Sequence, residues 1–167
     1  MTLKESKKRI ALGLVNRLFA STNPSTFNIK RKLLNWCGIE VGQNSKIVGP
    51  LRVYGNLKIG ENCWIGTNFT VHGNGNVKIE DNCDIAPDVT VITGSHEIGD
   101  KNRRAGIGKN SNVLIKKGTW ICAKTTILGG ATIGESCIVG ASSFVNKSIE
   151  NNILLAGVPA KVIKQLD

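Results

Sequence analysis

An aliphatic residue that recurs at every sixth position is the strongest constraint on what this chain can fold into. Over long stretches of the 167 residues this position holds only Ile or Val. An α-helix would need apolar residues about every 3.6 positions and a half-buried strand every second one, so neither explains the pattern. A short fixed period indicates a repeat architecture instead. The three runs contain Val41, Ile47, Val53, Ile59, Ile65, Val71 and Val77; Ile79, Ile85 and Val91; and Ile115, Ile121, Ile127, Ile133, Val139 and Val145.

The other positions of the hexad explain how each unit turns. A small side chain stands four residues after the aliphatic one, as at Cys63, Thr119 and Cys137, and Gly or Asn is frequent between them. Gly and Asn tolerate a left-handed backbone, so each hexad predicts a short strand closed by a sharp turn. Three hexads make a triangular coil, and stacked coils pair as parallel strands roughly 4.8 Å apart. We therefore predict an all-β solenoid of five or six coils over about residues 41–154, thin enough to favour oligomerisation.

The repeat breaks at residues 97–106, where Glu97 occupies the next aliphatic position. The segment is polar, carries Arg103 and Arg104, and is expected to end where the pattern resumes near Ile107–Gly108. A protruding loop on a rigid scaffold is a common place for chemistry. His96 directly precedes it, and an imidazole can take a proton near neutral pH, so His96 is a candidate general base. The second histidine, His72, lies in a predicted turn and is interpreted as an ordinary surface residue.

Basic charge is concentrated at the N-terminus. The first 36 residues contain eight Lys or Arg and one Glu, a net charge of +7 out of the formal +10. Leu3, Ile10, Leu14 and Leu18 would form one apolar face of a helix there. Such a helix would dock on the solenoid or a neighbouring subunit, or lie on an anionic membrane. No aromatic interleaving or binding motif accompanies the charge, which argues against nucleic acid.

Cysteine and histidine usage argues against a metal site and against an oxidising compartment. Five cysteines without CxxC spacing suggest a reducing, cytoplasmic location, with membrane association as the alternative. Cys63, Cys83 and Cys137 fall on the small inward position and are expected to be buried thiols. Two histidines cannot supply the three imidazoles of a zinc hydro-lyase. No apolar run reaches the 18 or so residues of a membrane span, and no signal-peptide cleavage site is evident.

Three segments add a resemblance to a known family: TGSHEIGDKNRRAG at 93–106, NVLIKKGTWICA at 112–123 and LAGVPAKVIK at 155–164. With the hexads they resemble the hexapeptide-repeat acyltransferases, most closely the sugar O-acetyltransferase branch. The resemblance, which covers about residues 41–165, implies a left-handed parallel β-helix of hexapeptide repeats; the residues themselves add a short N-terminal helical segment and a protruding loop. We therefore predict a basic N-terminal helical segment at 1–40, a hexapeptide-repeat β-helix acyltransferase domain at 41–154 with the protruding loop at 97–106, and a C-terminal coenzyme A-side tail at 155–167. The resemblance also implies a homotrimer with active sites between subunits.

The resemblance further implies an acetyl-coenzyme A-dependent O-acetyltransferase that needs no metal. His96 would be the general base, and the backbone N–H of Ala123 would stabilise the oxyanion. Asp84, Asp88 or a backbone carbonyl would orient the imidazole. The donor would contact Trp120, Ala123, Ala141, Lys147, Lys161 and Lys164, and the acceptor would contact Asn68, Arg103 and Arg104.

The acceptor is expected to be a sugar hydroxyl of a surface polysaccharide or its precursor. An amino-sugar amine, a serine or a xenobiotic remains an alternative acceptor, and a non-catalytic β-helix scaffold is an alternative function. Residues 1–40 do not match the helical cap of the small-sugar acetyltransferases in sequence, so galactoside or maltose is not assigned.

Overall fold

The aliphatic positions of the hexads face a common interior in the computed structural model, which describes residues 2–167. Ile47, Ile65, Ile85, Ile121 and Val139 are each fully buried and follow one another in register through successive strands. Residues beside them point outward, because side chains alternate along a strand. The six-residue period therefore encodes one inward Ile or Val for each side of a triangular coil.

Two helices precede the solenoid, which accounts for most of the chain. The helices are α1 (Leu3–Arg17) and α2 (Pro24–Trp36). The strands are β1 (Glu40–Val41), β2 (Lys46–Ile47), β3 (Leu51–Val53), β4 (Asn56–Ile59), β5 (Trp64–Ile65), β6 (Phe69–His72), β7 (Asn76–Ile79), β8 (Asp84–Ile85), β9 (Thr90–Ile92), β10 (Gly94–Ile98), β11 (Ala105–Asn110), β12 (Val113–Ile115), β13 (Trp120–Ile121), β14 (Thr126–Leu128), β15 (Thr132–Ile133), β16 (Ile138–Val139), β17 (Phe144–Val145), β18 (Ile153–Gly157) and β19 (Ala160–Gln165).

Three parallel faces enclose the core. Face one is β1-β4-β7-β12-β15, face two is β2-β5-β8-β13-β16-β18 with β19 at its edge, and face three is β3-β6-β9-β14-β17. Each coil takes one strand from each face in turn, so coil one is β1-β2-β3, coil three is β7-β8-β9 and coil five is β15-β16-β17. A sixth coil begins where Ile149 bridges Ile133 and β18 pairs with β16. The all-β solenoid predicted from the hexads is confirmed.

The corner between faces one and two is turned by left-handed residues. Asn44, Asn62 and Asn82 occupy this corner in successive coils with φ between 55° and 59°. Gly118 and Ser136 follow them with φ of 72° and 53°. Asn tolerates this region better than most residues because its short polar side chain can hydrogen-bond locally. The recurrent Asn of the hexad is therefore a turn residue.

Small inward residues fill the narrow remainder of the core. Cys63, Cys83 and Cys137 are buried, as predicted, and all five cysteines are free thiols. Hydroxyl groups at the same position remain paired, since Ser45 Oγ donates to Gly60 O at 2.7 Å and Thr119 Oγ1 donates to Gly134 O at 2.8 Å. In residues 2–167 no buried side-chain N or O lacks a hydrogen-bond partner.

The break in the repeat is an antiparallel hairpin, which we call the arm (residues 94–110). It consists of β10 and β11, with His96 opposite Gly108 and a register shift before Ile98. The expectation that the repeat resumes near Ile107 is wrong: Ile107 is 81% exposed on the arm, and the inward pattern returns at Val113, which is 2% exposed. An aliphatic–Gly pair looks the same in sequence whether it lies in a coil or on the arm. The strand that pairs with it determines whether the aliphatic side chain faces the core or the solvent.

Helix α1 docks on the solenoid through a different face from the one its leucines suggested. Ala11 and Val15 are fully buried, whereas Leu3, Ile10 and Leu18 are 54–73% exposed. The buried side also satisfies open backbone groups of coil one. Lys8 Nζ donates to the carbonyls of Tyr54 and Gly55 at 3.0 and 2.6 Å, and the Asn16 amide exchanges two hydrogen bonds with Leu51. The docking face of α1 is therefore set by small residues and polar partners. The backbone N–H and C=O groups at the exposed edge of coil one need hydrogen bonds more than they need apolar cover.

Helix α2 is a second element of the segment that we expected to hold one helix. It begins at Pro24 after an Asn23 cap and buries Phe27, Lys30 and Leu34. Lys30 Nζ donates to Ser21 O at 2.8 Å and Val48 O at 3.1 Å and lies 4.6 Å from the Phe27 ring centroid. Burial without a carboxylate partner lowers the pKa of Lys30 to about 8. No helix within 2–167 has the length and apolar character of a membrane span.

Candidate active site

The imidazole of His96 is exposed on the arm and held at one nitrogen. His96 Nδ1 lies 2.9 Å from the carbonyl oxygen of Gly106 on the opposite strand. A carbonyl can only accept, so this contact requires Nδ1 to carry a proton and leaves Nε2 as an acceptor in the neutral ring. The backbone carbonyl, rather than Asp84 or Asp88, is therefore the group that orients the ring.

Glycines let the two strands of the arm approach closely behind this contact. A Cβ on Gly106 would lie 3.0 Å from Glu97 O and 3.2 Å from Gly99 N. Any side chain at 106 would therefore push the strands apart and move the carbonyl that holds His96. Gly106 is a residue of the candidate site that the sequence did not single out.

The base of the arm is anchored to the coil below. The Thr93 hydroxyl and the Thr93 N–H both reach His72 O at 2.8 Å, and Ser111 N–H donates to Thr93 O at 2.8 Å. Asn110 Oδ1 accepts from Asn74 N–H at 2.8 Å. Thr93 is almost fully buried. These bonds fix the direction in which the arm leaves the corner between faces three and one.

The opposite corner, between faces two and three, forms a straight edge. Asn68, Asp88, Lys124 and Ser142 follow one another along it with φ between 58° and 61°. Each is bonded to the coil below, as where Ser142 N–H donates to Ala123 O at 2.9 Å. The N–H of Ala123 itself makes no hydrogen bond to any residue in 2–167. It remains a free donor on a half-buried part of the edge.

Trp120 lies on face two in a column with two other residues. It is in register with Asp84, which is in turn in register with Trp64. Trp120 is 50% exposed, and a cavity of about 530 Å³ runs between the two indoles along Ile85 and Pro87. The exposed carboxylate of Asp84 lies between the two indoles, so this wall suits an uncharged chain better than a phosphate.

Three lysines predicted to bind the donor lie at the C-terminal end. Lys147 follows β17, and Lys161 and Lys164 lie on β19 opposite Ala156 and Leu154. All three are exposed. None has a carboxylate within 4.0 Å in the part of the chain described. Their charges are therefore available to an anion.

The acceptor residues expected from the sequence are separated. Asn68 is exposed on the edge and donates to Asp88 Oδ1 at 2.9 Å. Arg103 and Arg104 lie in the turn of the arm, where Arg104 Nη1 reaches Gly99 O at 3.4 Å. Asn68 thus belongs to coil two and the arginines to the arm, and no described contact joins them.

Within a single chain, His96 and Ala123 are also separated. The arm bearing His96 leaves the corner after β9, whereas Ala123 stands at the corner before β14. Face three lies between them, and three residues of strand span roughly 10 Å. Within 2–167 there is also no group of three or more His, Cys, Asp or Glu side chains that could hold a metal.

Comparisons with known proteins agree with this architecture. A family model described as bacterial transferase hexapeptide (six repeats) matches residues 112–147. Galactoside O-acetyltransferase of Escherichia coli (strain K12) is 32% identical over 151 residues, which cover 89% of this chain and 74% of the relative.

Two solved structures extend the comparison to the whole chain. A galactoside acetyltransferase in complex with coenzyme A superposes with a TM-score of 0.85 at 29% identity, covering 98% of this chain and 81% of the other. A hexapeptide-repeat-containing acetyltransferase of Vibrio cholerae O1 biovar eltor, complexed with acetyl coenzyme A, has a TM-score of 0.85 over 98% and 87% of the two chains. At 23% identity the latter supports the fold alone.

The superposition also extends into the N-terminal segment. Coverage of 98% of the chain includes most of residues 1–40, although these residues do not match the cap of the small-sugar enzymes in sequence. From the family match, the relatives and the shared fold, the chain belongs to the hexapeptide-repeat acyltransferases, in their sugar O-acetyltransferase branch.

Proposed function

We propose that the protein transfers an acetyl group from acetyl-coenzyme A directly to a sugar hydroxyl, with His96 as general base. The orientation of the His96 ring carries this proposal. With Nδ1–H donated to Gly106 O, the unshared pair of Nε2 is free to accept a hydroxyl proton. The coenzyme A-bound galactoside acetyltransferase that superposes on this chain supports the choice of donor.

The reaction needs one general base and one hydrogen-bond donor to the oxyanion. Nε2 takes the acceptor proton while the sugar oxygen forms a bond to the thioester carbonyl carbon. The carbonyl oxygen becomes an oxyanion, and the free N–H of Ala123 donates to it. Collapse of the tetrahedral intermediate breaks the C–S bond, and the imidazolium returns its proton to the departing thiolate.

Acetyl-coenzyme A would bind along the C-terminal half of the solenoid. Trp120 and the small side chains of Ala123 and Ala141 would flank the pantetheine arm. Lys147, Lys161 and Lys164 would meet its phosphates, as point charges rather than as bidentate clamps. Their lack of carboxylate partners in the described chain supports this role.

We propose that a homotrimer completes the site, because His96 and Ala123 leave opposite corners of face three. The arm also exposes Ile98 and Ile107, at 89% and 81%, which favours cover by a neighbouring copy. Light scattering on the purified protein tests this, and a monomer with full activity would contradict it.

The acceptor is proposed to be a unit of a surface polysaccharide or its precursor, modified in the cytoplasm beside the membrane. The exposed side of α1 supports this location. Ile10, Leu14 and Leu18 form an apolar strip flanked by Arg9 and Arg17, around a shallow cavity of about 450 Å³. A basic amphipathic surface of this kind suits an anionic bilayer.

Release of free thiol from acetyl-coenzyme A tests the activity. His96→Ala is expected to lower kcat by about 10²- to 10⁴-fold, the usual contribution of a general base, with little change in coenzyme A affinity. An unaltered rate would remove His96 from the mechanism. An amine, a serine or a xenobiotic that is acetylated faster than any sugar would establish the alternative acceptor, and absence of acetyl-coenzyme A binding in calorimetry would favour a scaffold.

A further inference from the structure

A polar groove lies on face three, in the N-terminal half of the solenoid. It has a volume of about 420 Å³. Its lining residues come from three successive coils and include Arg52, Asn68, Thr70, His72, Asp88 and Thr90. The sequence predicts an acceptor contact for Asn68, gives no role to Arg52 and predicts His72 to be an ordinary surface residue.

The register of the strands explains the shape of the groove. Arg52, Thr70 and Thr90 stand in one column along the floor. Because threonine is short, the floor is deep at coils two and three and is closed at coil one by the arginine. Asn68 and Asp88 form one wall at the edge between faces two and three.

The other wall is aromatic and tied to the arm. His72 stacks on Tyr54 with ring centroids 5.7 Å apart and planes at 16°. The carbonyl of His72 accepts the Thr93 hydroxyl at 2.8 Å, three residues before His96. This wall therefore connects the groove to the start of the arm, which carries the proposed general base His96.

The groove offers an unpaired cation and several hydrogen-bonding groups. Arg52 is exposed and has no carboxylate within 4.0 Å among residues 2–167. Its planar guanidinium matches a carboxylate or phosphate with two parallel hydrogen bonds. Asp88 gives one oxygen to the Asn68 amide, which leaves accepting capacity for a hydroxyl. Thr90 adds a hydroxyl, whereas the Thr70 hydroxyl already donates to Asn68 O at 3.1 Å and can only accept from a ligand.

We propose that this groove binds an anionic sugar unit of the acceptor, with its carboxylate or phosphate on Arg52. The inference rests on the proposed acetyl transfer and narrows its substrate class. Arg52 lies two coils below the coil that carries the arm, roughly 10 Å along the axis. The charged group therefore belongs to a different part of the acceptor from the hydroxyl that is acetylated, which requires an oligomeric or lipid-linked glycan rather than a free monosaccharide.

A glycan array with matched pairs tests this. Each pair contains an oligosaccharide bearing a uronic acid or a sugar phosphate and its neutral counterpart, and coenzyme A is present throughout. The wild-type protein is expected to bind charged members about 10-fold or more tighter, as expected for a charge-assisted contact. Arg52→Gln is expected to abolish that preference. Lys46→Gln, which removes an exposed charge from face two of the same coil, is expected to keep it.

The outcomes separate this inference from the proposed function. A wild-type protein without preference for charged glycans, or a preference that survives Arg52→Gln, overturns the groove assignment. Disassembly of the oligomer by Arg52→Gln would identify the face as a subunit contact and would also overturn it. His96→Ala is expected to retain the binding preference and to lose transfer, so normal transfer by this variant would contradict the proposed mechanism alone. Preference for uronates over phosphates, or the reverse, identifies which anion the groove reads.

Discussion

A methyl group added at Gly66 tests how tightly the coils are stacked. Gly66 follows Ile65 at the corner below Asp88, and its N–H donates to Ile85 O at 2.8 Å. A Cβ at this position would lie 2.7 Å from Pro87 N and 2.8 Å from Ala86 C. Both atoms are backbone, so neither can rotate away as the end of a flexible side chain could.

The cost of Gly66→Ala follows from the separation that the methyl group requires. Ordinary contact begins at 3.4 Å, so the coils must part by about 0.7 Å, the difference from 2.7 Å. That shift would stretch the Gly66–Ile85 hydrogen bond from 2.8 to about 3.5 Å, beyond the normal range. Loss of one hydrogen bond costs about 1 kcal/mol and overpacking about 1–3 kcal/mol, which gives about 2–4 kcal/mol in the free energy of unfolding.

Urea denaturation at fixed protein concentration measures this effect. With a slope of about 1–3 kcal/mol per molar urea, the midpoint is expected to fall by about 0.7 M or more. Gly13→Ala is the matched control, because nothing lies within 4 Å of a Cβ there and alanine favours the middle of α1. The control is expected to unfold at the wild-type midpoint or above it. Equal midpoints for the two variants would refute the close stacking.

Three further changes address stability, donor binding and the membrane. Because the pKa of buried Lys30 is lowered to about 8, the unfolded chain binds more protons than the folded one between pH 8 and 10.5, so the free energy of unfolding should rise with pH in that window. Lys30→Met should remove about 1–3 kcal/mol of that rise in denaturation curves, and an identical pH profile would contradict the assignment. Lys161→Ala should raise the KM for acetyl-coenzyme A much more than for a donor lacking the 3′-phosphate; equal increases would show that this lysine does not contact the phosphate. Vesicles containing phosphatidylglycerol should sediment the protein, phosphatidylcholine vesicles should not, and the double change Arg9→Gln and Arg17→Gln should abolish sedimentation; retention by the double variant would mean that another surface binds.

The candidate site was only partly visible in the sequence. His96 was found because it directly precedes the break in the repeat, and the Asn residues were recognised as turns because each hexad is a local unit. Gly106 was missed, since its role depends on an antiparallel partner that the sequence does not name. Arg52 and His72 were missed because they join a common groove only after two coils have been stacked.

Within the hexads of 41–154, local periodicity determined which side chains face the core. The direction of a side chain along a short strand depends only on its place in its own hexad. The tertiary structure decided everything that depends on neighbours. Ile107 resembles a hexad residue and yet lies on the arm, and α1 docks through Ala11 and Val15 because coil one presents open carbonyls and amides on that side. The register between coils is a property of paired strands, and it is this register that brings Arg52 to the end of a floor of threonines and a carbonyl to the ring of His96.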